Sequence, residues 1–142
     1  MVKKVIVLSR HNFIKFVNSL TDKQKREMAF ISIRDFDHEI ILNNASNVLN
    51  LQFDDSETEE SWTNKLFDDE MAQQIIQFVN NNIDKNLFVV HCLMGQSRSG
   101  AVGGFLADIF GIKWEDFKRQ NSQVKPNTLV KTTLEKNYYE RY

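Results

Sequence analysis

The chain has 142 residues, of which 42% are hydrophobic and 26% charged, as expected for one globular domain with its own core. Its 18 basic and 19 acidic residues give a formal net charge of −1, which argues against a general nucleic-acid-binding protein, because such proteins carry a basic excess. No apolar run approaches the roughly 18 residues of a membrane-spanning helix, and a single cysteine, Cys92, cannot form an internal disulfide. We therefore expect one domain over residues 1–142, monomeric, cytoplasmic and without membrane association.

The first half of the chain has the pattern of three strands and one helix. Val2 to Leu8 is rich in β-branched residues and predicts a buried first strand; its apolar part is too short for a signal peptide. Apolar residues at helical spacing from Phe13 to Leu20 predict a short amphipathic helix. Met28 to Arg34 and Val48 to Phe53 predict the second and third strands, the latter with one solvated face.

An acidic segment follows at residues 54–70, with eight acidic residues and one base, Lys65. Its first part predicts a solvated loop, the usual interpretation of such a charge run. Asp68, Asp69 and Glu70 predict the first turn of a helix that continues to Val79, because carboxylates there oppose the positive end of the helix dipole.

The second half begins with Leu87 to Val90 (LFVV), a wholly apolar run that predicts a central strand buried on both faces. Ser99 to Phe110 predicts a helix whose three glycines suit close packing, and Trp114 to Gln120 and Asn127 to Tyr142 predict two more helices. Strands that alternate with helices indicate an α/β fold, with a central, mostly parallel sheet flanked by helices.

The stretch from His91 to Gly100 (HCLMGQSRSG) lies between the predicted central strand and a helix. In such a strand–loop–helix connection, backbone N–H groups converge on an anion at the helix N-terminus. Five intervening residues let the loop curl so that Cys92 and Arg98 face the same bound group. Arg98 can bind two phosphoryl oxygens with its planar fork, and its charge and the helix N-terminus favour the thiolate form of Cys92. The alternative is that this cysteine is a small buried core residue.

Other residues of this stretch are candidates to support the site. His91 is placed to orient the loop by hydrogen bonding, and Ser99 is placed to donate a hydrogen bond to the thiolate. Gly95 can adopt a left-handed backbone conformation if the loop requires one. The predicted phosphate-binding positions, besides Arg98, are Leu93, Met94, Gly95, Gln96 and Ser97.

The sequence His91-Cys92-x5-Arg98-Ser99 resembles the signature loop of the cysteine-dependent protein tyrosine phosphatases, His-Cys-x5-Arg-Ser/Thr. Its place two-thirds along a short chain is similar to that in the compact dual-specificity branch of this superfamily. Three further segments resemble that branch: Ala29 to Asp35, Leu51 to Ser56 and Pro126-Asn127. The remaining sequence matches it loosely.

The resemblance implies a dual-specificity-phosphatase-like fold and hydrolysis of a phosphomonoester through a phosphocysteine intermediate, with no cofactor and no metal. An upstream aspartate then protonates the leaving group. Alignment of the Leu51–Asp55 strand end with the family assigns this role to Asp55, with the adjacent Asp54 as the rival. Two other possibilities stay open: that the chain has no general acid, or that the acid is Glu57, Asp68 or Asp69.

None of the variable loop positions is basic, whereas family members that cleave phosphoinositides or RNA triphosphates need more positive charge. The resemblance therefore favours a phosphorylated protein partner carrying phosphotyrosine, and leaves phosphoserine and phosphothreonine open. Two alternatives are a module that binds phosphorylated partners without turnover and a phosphatase for a lipid, nucleotide or RNA 5′ end. Phe36 and His38, in the loop after the second strand, are candidates to stack on a substrate ring or are ordinary loop residues.

Overall fold

The computed structural model describes residues 2–58 and 65–140, and its centre is a four-stranded sheet. All four strands are parallel and lie in the order β1-β4-β2-β3, as the sequence pattern predicts a parallel sheet. The central strand β4 is buried on both faces, with Phe88, Val89 and Val90 completely inaccessible. The strands are β1 (Lys4–Leu8), β2 (Met28–Arg34), β3 (Val48–Gln52) and β4 (Leu87–His91).

The described residues form six helices, five of them predicted. The unpredicted helix is α2, a five-residue segment without a buried side chain, held by a capping box between Thr21 and Gln24. The last two residues of the final predicted helix, Arg141 and Tyr142, and residues 59–64 of the acidic segment lie outside the described residues. The helices are α1 (Arg10–Asn18), α2 (Asp22–Arg26), α3 (Asp69–Asn81), α4 (Arg98–Ile109), α5 (Trp114–Gln120) and α6 (Thr128–Tyr139).

The sheet has a core on each face because alternate residues of a strand point to opposite sides. In β2, Ile31 and Ile33 belong to the larger core, which packs against α3, α4, α5 and α6. Phe30 points the other way and packs with Phe13 and Val17 of α1 in the smaller core. The alternation of the strand therefore positions helices on both sides of the sheet.

Helix α4 lies unusually close to the sheet. A Cβ atom at Gly103 would lie 2.6 Å from Cγ2 of Val7, a distance that real Cβ contacts do not show. A glycine at this position lets the helix that follows the signature loop approach β1. No helix in the described ranges has both the length and the apolar character needed to cross a membrane.

The strand register brings several loop residues to one edge of the sheet. His91 pairs with both Leu8 of β1 and Ser32 of β2, so these strands end at nearly the same level. Carboxyl ends of parallel strands are where open α/β sheets bind ligands. The residues that follow the strands at this edge are Ser9, Asp35, Phe53 and Cys92.

Candidate active site

A pocket of about 370 Å³ opens at this carboxyl edge, above the end of β4. Cys92 lies at its base and is almost completely buried, and Arg98 and the signature loop form one wall. The loop after β2 and the residues after β3 complete the rim. The described residues that line the pocket are Asp35, Phe36, Asp37, Asp54, Asp55, Cys92, Leu93, Met94, Gln96, Ser97 and Arg98.

Four carbonyl groups of the signature loop, at residues 93 and 95–97, point away from this pocket and accept hydrogen bonds from the surrounding protein. A trans peptide places its N–H opposite its C=O, so the N–H groups of the residues that follow these carbonyls face the concave side of the loop. No backbone N–H from Leu93 to Ser97 donates to an acceptor within the described parts of the chain. The outward bonds are Arg10 N to Leu93 O (3.0 Å), Gln123 Nε2 to Gly95 O (3.1 Å), Lys125 N to Gln96 O (2.9 Å) and Asn127 N to Ser97 O (3.0 Å).

Gly95 allows the loop to make this curl. Its φ of 70° is in the left-handed region, and a Cβ atom there would lie 2.5 Å from the backbone nitrogen of Ser9. Both the conformation and the close approach therefore require glycine.

The end of the curl is the N-terminus of α4. Ser97 occupies the cap position, yet its hydroxyl makes no capping bond. The cap side chain therefore accepts no hydrogen bond from the first N–H groups of α4, and these groups are available to an anion.

The Cys92 thiol lies 3.0 Å from the hydroxyl of Ser99, which is completely buried. When the sulfur is a thiolate, Ser99 is the donor, and this bond stabilises the negative charge. The structure thus brings the Ser99 hydroxyl and the Cys92 sulfur together.

His91 is fixed by three contacts behind the loop. Its Nδ1 lies 3.2 Å from the carbonyl of Cys92, which can only accept, so Nδ1 carries the proton. Nε2 then accepts from the Ser32 hydroxyl at 2.5 Å, and the ring stacks on Phe13 with a centroid distance of 4.0 Å. Burial lowers the pKa of His91 from 6.5 to about 4; the hydrogen bond to the Cys92 carbonyl opposes this shift, and the charges of Arg10 and Arg98 add to it. His91 is therefore a neutral positioning residue.

Arg98 is buried and held from behind by two acceptors. Its Nη1 donates to Oδ1 of Asp35 at 2.6 Å and to the carbonyl of Phe53 at 2.9 Å. Its Nε is buried and has no hydrogen-bond partner among the described residues. The guanidinium is thus oriented by Asp35 and Phe53 while another edge stays available to a phosphoryl group.

Asp55 lies beside the start of α4, where Oδ1 accepts from the Ser97 hydroxyl at 2.8 Å. The same oxygen accepts from Nδ2 of Asn127 at 3.0 Å, and Asn127 also caps α6 through Val130 N. These two donors hold Asp55 at the pocket and leave Oδ2 as the oxygen that can carry a transferable proton.

The other candidate acids have different surroundings. Asp54 also lines the pocket and is half-buried, so both neighbouring aspartates reach it. Glu57 accepts from Thr128 N at 3.2 Å and Asp68 caps α3 through Met71 N at 2.9 Å. Asp69 pairs with Lys136 at 3.0 Å. The last three carboxylates do not line the pocket and take part in helix contacts.

Three possible metal ligands meet within the loop after β2, with ligand atoms of Asp35, Asp37 and His38 all within 4.8 Å of one another. One Asp35 oxygen is bonded to Arg98 and the other lies 3.8 Å from Nδ1 of His38. Asp35 is therefore already engaged by cationic or polar side chains.

Three residues of the site were not predicted from the sequence. Asp35 directly follows β2, and its position at the carboxyl edge is the signal that could have identified it. Asn127 belongs to a patch that resembles the family, but its contact with Asp55 depends on how α6 packs. Ser32, the partner of His91, is a polar residue within an otherwise buried strand.

Comparisons with known proteins identify the fold. No protein-family model and no curated protein sequence matches the chain. Similar solved structures include a human tyrosine phosphatase-like serine/threonine/tyrosine-interacting protein, with a TM-score of 0.59, 19% identity and coverage of 96% of this chain and 91% of that one. DUSP15 has a TM-score of 0.57 and 16% identity over 96% of this chain and 84% of its own.

A third similar structure is PTPMT1 in complex with PI(5)P, with a TM-score of 0.52, 14% identity and coverage of 98% and 95% of the two chains. At these identities the similarity establishes the fold. The dual-specificity-phosphatase-like architecture that the signature loop predicts is therefore confirmed.

Proposed function

We propose that the chain is a phosphomonoester phosphatase that acts through a phosphocysteine at Cys92, with phosphotyrosine in proteins as its preferred substrate. The observation that carries this proposal is the geometry at the base of the pocket. A buried sulfur lies 3.0 Å from the Ser99 hydroxyl, below a loop whose N–H groups face inward beside Arg98. This arrangement fits a nucleophile below a bound phosphoryl group.

In the first step the Cys92 thiolate attacks phosphorus in line with the ester oxygen. The S–P bond forms as the P–O bond breaks, and Asp55 gives its proton from Oδ2 to the departing oxygen. Arg98 and the loop N–H groups balance the charge of the phosphoryl oxygens, so the step needs no metal.

In the second step water attacks the phosphocysteine. Asp55, now ionised, accepts a proton from the water, and the sulfur leaves as a thiolate that accepts a hydrogen bond from Ser99. Inorganic phosphate then departs, and the protein returns to its starting protonation state.

The surroundings of the phosphate seat support this substrate preference. Phe36 and Met94 line the pocket and expose 61% and 64% of their surface. Exposed apolar side chains at the mouth of a phosphate pocket suit the ring of a tyrosine, which buries far more apolar surface than a serine or threonine side chain.

A second candidate is a module that binds phosphorylated partners without turning them over. Its support is the similarity to a phosphatase-like interacting protein. The presence of both Cys92 and Arg98 favours the enzyme.

A single panel separates the candidates. We would measure phosphate release from an aryl phosphate, from phosphotyrosyl, phosphoseryl and phosphothreonyl peptides, from phosphoinositides and from nucleotides, with Cys92→Ser as the inactive control. Fastest turnover of phosphotyrosyl peptides supports the proposal. Binding without release in every case favours the binding module, and faster release from lipids or nucleotides contradicts a protein substrate.

A further inference from the structure

The walls of the pocket carry an excess of negative charge. Among the described residues of the lining, four aspartates and one arginine give three net negative charges when every carboxylate is ionised, and the Cys92 thiolate adds a fourth. Asp55 contributes no charge while it holds the proton that it transfers. This is an unusual surrounding for a site that receives a phosphate dianion.

The carboxylates of the lining have different surroundings. Asp35 is paired with Arg98 at 2.6 Å, so these two charges largely compensate each other. Asp37 is exposed at the rim, and Asp54 is half-buried in the lining. The carboxylate of Asp37 therefore places negative charge at the mouth of the pocket, outside the contact between Asp35 and Arg98.

Two further arginines touch the loop after β2 but do not line the pocket. Arg34 donates to the carbonyl of His38 at 3.0 Å, and Arg10 donates to the carbonyl of Glu39 at 2.9 Å. Both guanidinium groups support the backbone of this loop from outside the cavity. Among the described residues, Arg98 is the one basic side chain in the lining.

We propose that the mouth of the pocket selects phosphotyrosyl peptides with basic residues next to the phosphotyrosine and disfavours acidic or polyanionic substrates. This inference rests on the proposed function, because it specifies the substrate class of the same site. The phosphate dianion is bound by Arg98 and the loop N–H groups, the tyrosine ring contacts Phe36 and Met94, and flanking lysines or arginines face the rim at Asp37. Attraction between opposite charges in a partly enclosed cleft raises both affinity and the rate of association.

The test uses three phosphotyrosyl peptides that differ only in their flanking residues, which are lysine, alanine or glutamate. Affinity is measured with Cys92→Ser, which keeps the phosphate seat, and kcat/KM with the unaltered protein. We expect the lysine peptide to exceed the glutamate peptide by roughly tenfold in low salt, a difference that shrinks in high salt because ions screen exposed charges.

Two variants that each remove one negative charge test whether the preference for the lysine peptide arises at the rim of the pocket. Asp37→Asn removes one charge at the rim and should reduce the lysine-to-glutamate ratio by about two- to threefold. Asp84→Asn removes the same charge from an exposed aspartate before β4, at the opposite end of the sheet, and should leave the ratio unchanged.

The outcomes distinguish this inference from the proposed function. Equal or better binding of the glutamate peptide, or an unchanged ratio in Asp37→Asn, overturns the charge selection even if turnover is fast. Tighter binding of a free inositol bisphosphate than of the lysine peptide also overturns it. A tenfold binding preference without any phosphate release supports the charge selection and contradicts the proposed enzyme, whereas no binding of any peptide overturns both.

Discussion

Oδ1 of Asp35 lies 2.6 Å from Nη1 of Arg98, and the two residues are 63 positions apart in the sequence. The contact exists because β2 and β4 are neighbours that end at the same edge of the sheet. Without this carboxylate, the buried guanidinium would keep the Phe53 carbonyl as its one acceptor among the described residues.

Asp35→Ala should therefore lower kcat/KM for an aryl phosphate by about 10–10²-fold, because a misplaced guanidinium loses its alignment with the phosphoryl oxygens. Asp35→Asn should recover part of this loss, since its side-chain oxygen still accepts from Arg98. The control is Asp116→Ala, which removes the partner of Arg119 from an exposed pair at 3.0 Å. An unchanged kcat/KM in Asp35→Ala would show that Arg98 needs no orientation by this residue.

The choice between the two neighbouring aspartates is open to a kinetic test. Asp55→Asn should slow hydrolysis of a phenyl phosphate by about 10²–10⁴-fold, the range for losing a general acid. The loss should be smaller for an aryl ester whose leaving group is stable without a proton. Asp54→Asn, the matched variant, should reduce the rate much less. The reverse pattern would assign the role of general acid to Asp54. If the rate loss depends on the leaving group in neither variant, the acid lies elsewhere or the binding module is favoured.

The Ser97 hydroxyl donates a hydrogen bond to Asp55 and does not cap α4. Its removal should therefore affect the rate of turnover and not the stability of the helix. Ser97→Ala should slow turnover of substrates with poor leaving groups while the free energy of unfolding changes little. Thr21→Ala should do the opposite: it breaks the capping box of α2, which costs about 1 kcal/mol of stability, and leaves the rate unchanged. Chemical denaturation and initial rates on both variants are sufficient, and a large loss of stability in Ser97→Ala would contradict this separation.

The buried, neutral His91 makes stability depend on pH in a defined direction. Because burial lowers its pKa from 6.5 to about 4 in the folded protein, the unfolded chain binds the proton more readily in this interval. The contribution of His91 to the free energy of unfolding is fully present above about pH 6.5 and is lost as the pH falls towards 4. Between about pH 7 and pH 5 this group should account for a loss on the order of 2 kcal/mol.

Denaturant unfolding over this pH range measures the effect. His91→Asn should lack this component of the pH slope, whatever its absolute stability, and the exposed His11→Asn should retain it. Equal slopes in the unaltered protein and in His91→Asn would mean that His91 does not titrate differently in the folded and unfolded states.

Much of the architecture was readable from local patterns. The apolar run before His91 predicted the central strand, and the spacing of Cys92 and Arg98 predicted the loop that joins it to α4. Helix α2 was missed because its residues, DKQKR, offer no apolar face, although Thr21 and Gln24 have the spacing of a capping box.

The contacts that complete the site could not be read in the same way. The pairing of Asp35 with Arg98 depends on the order of the strands, which sequence periodicity does not specify. The alternation along β3 could not decide between Asp54 and Asp55, because the strand ends at Gln52 and both aspartates reach the pocket. Asn127 contacts Asp55 only because the loop before α6 folds back over the signature loop.

The most direct test of the central claim is to trap the intermediate on Cys92. The protein is mixed with excess aryl phosphate and quenched by denaturation within a turnover, and its peptides are analysed by mass spectrometry. We expect one phosphoryl group on the peptide that contains Cys92 and none in Cys92→Ser. With a good leaving group, Asp55→Asn should accumulate more of it, because water attack is then slowed. Turnover with no phosphoryl group on Cys92, or continued turnover in Cys92→Ser, would contradict it.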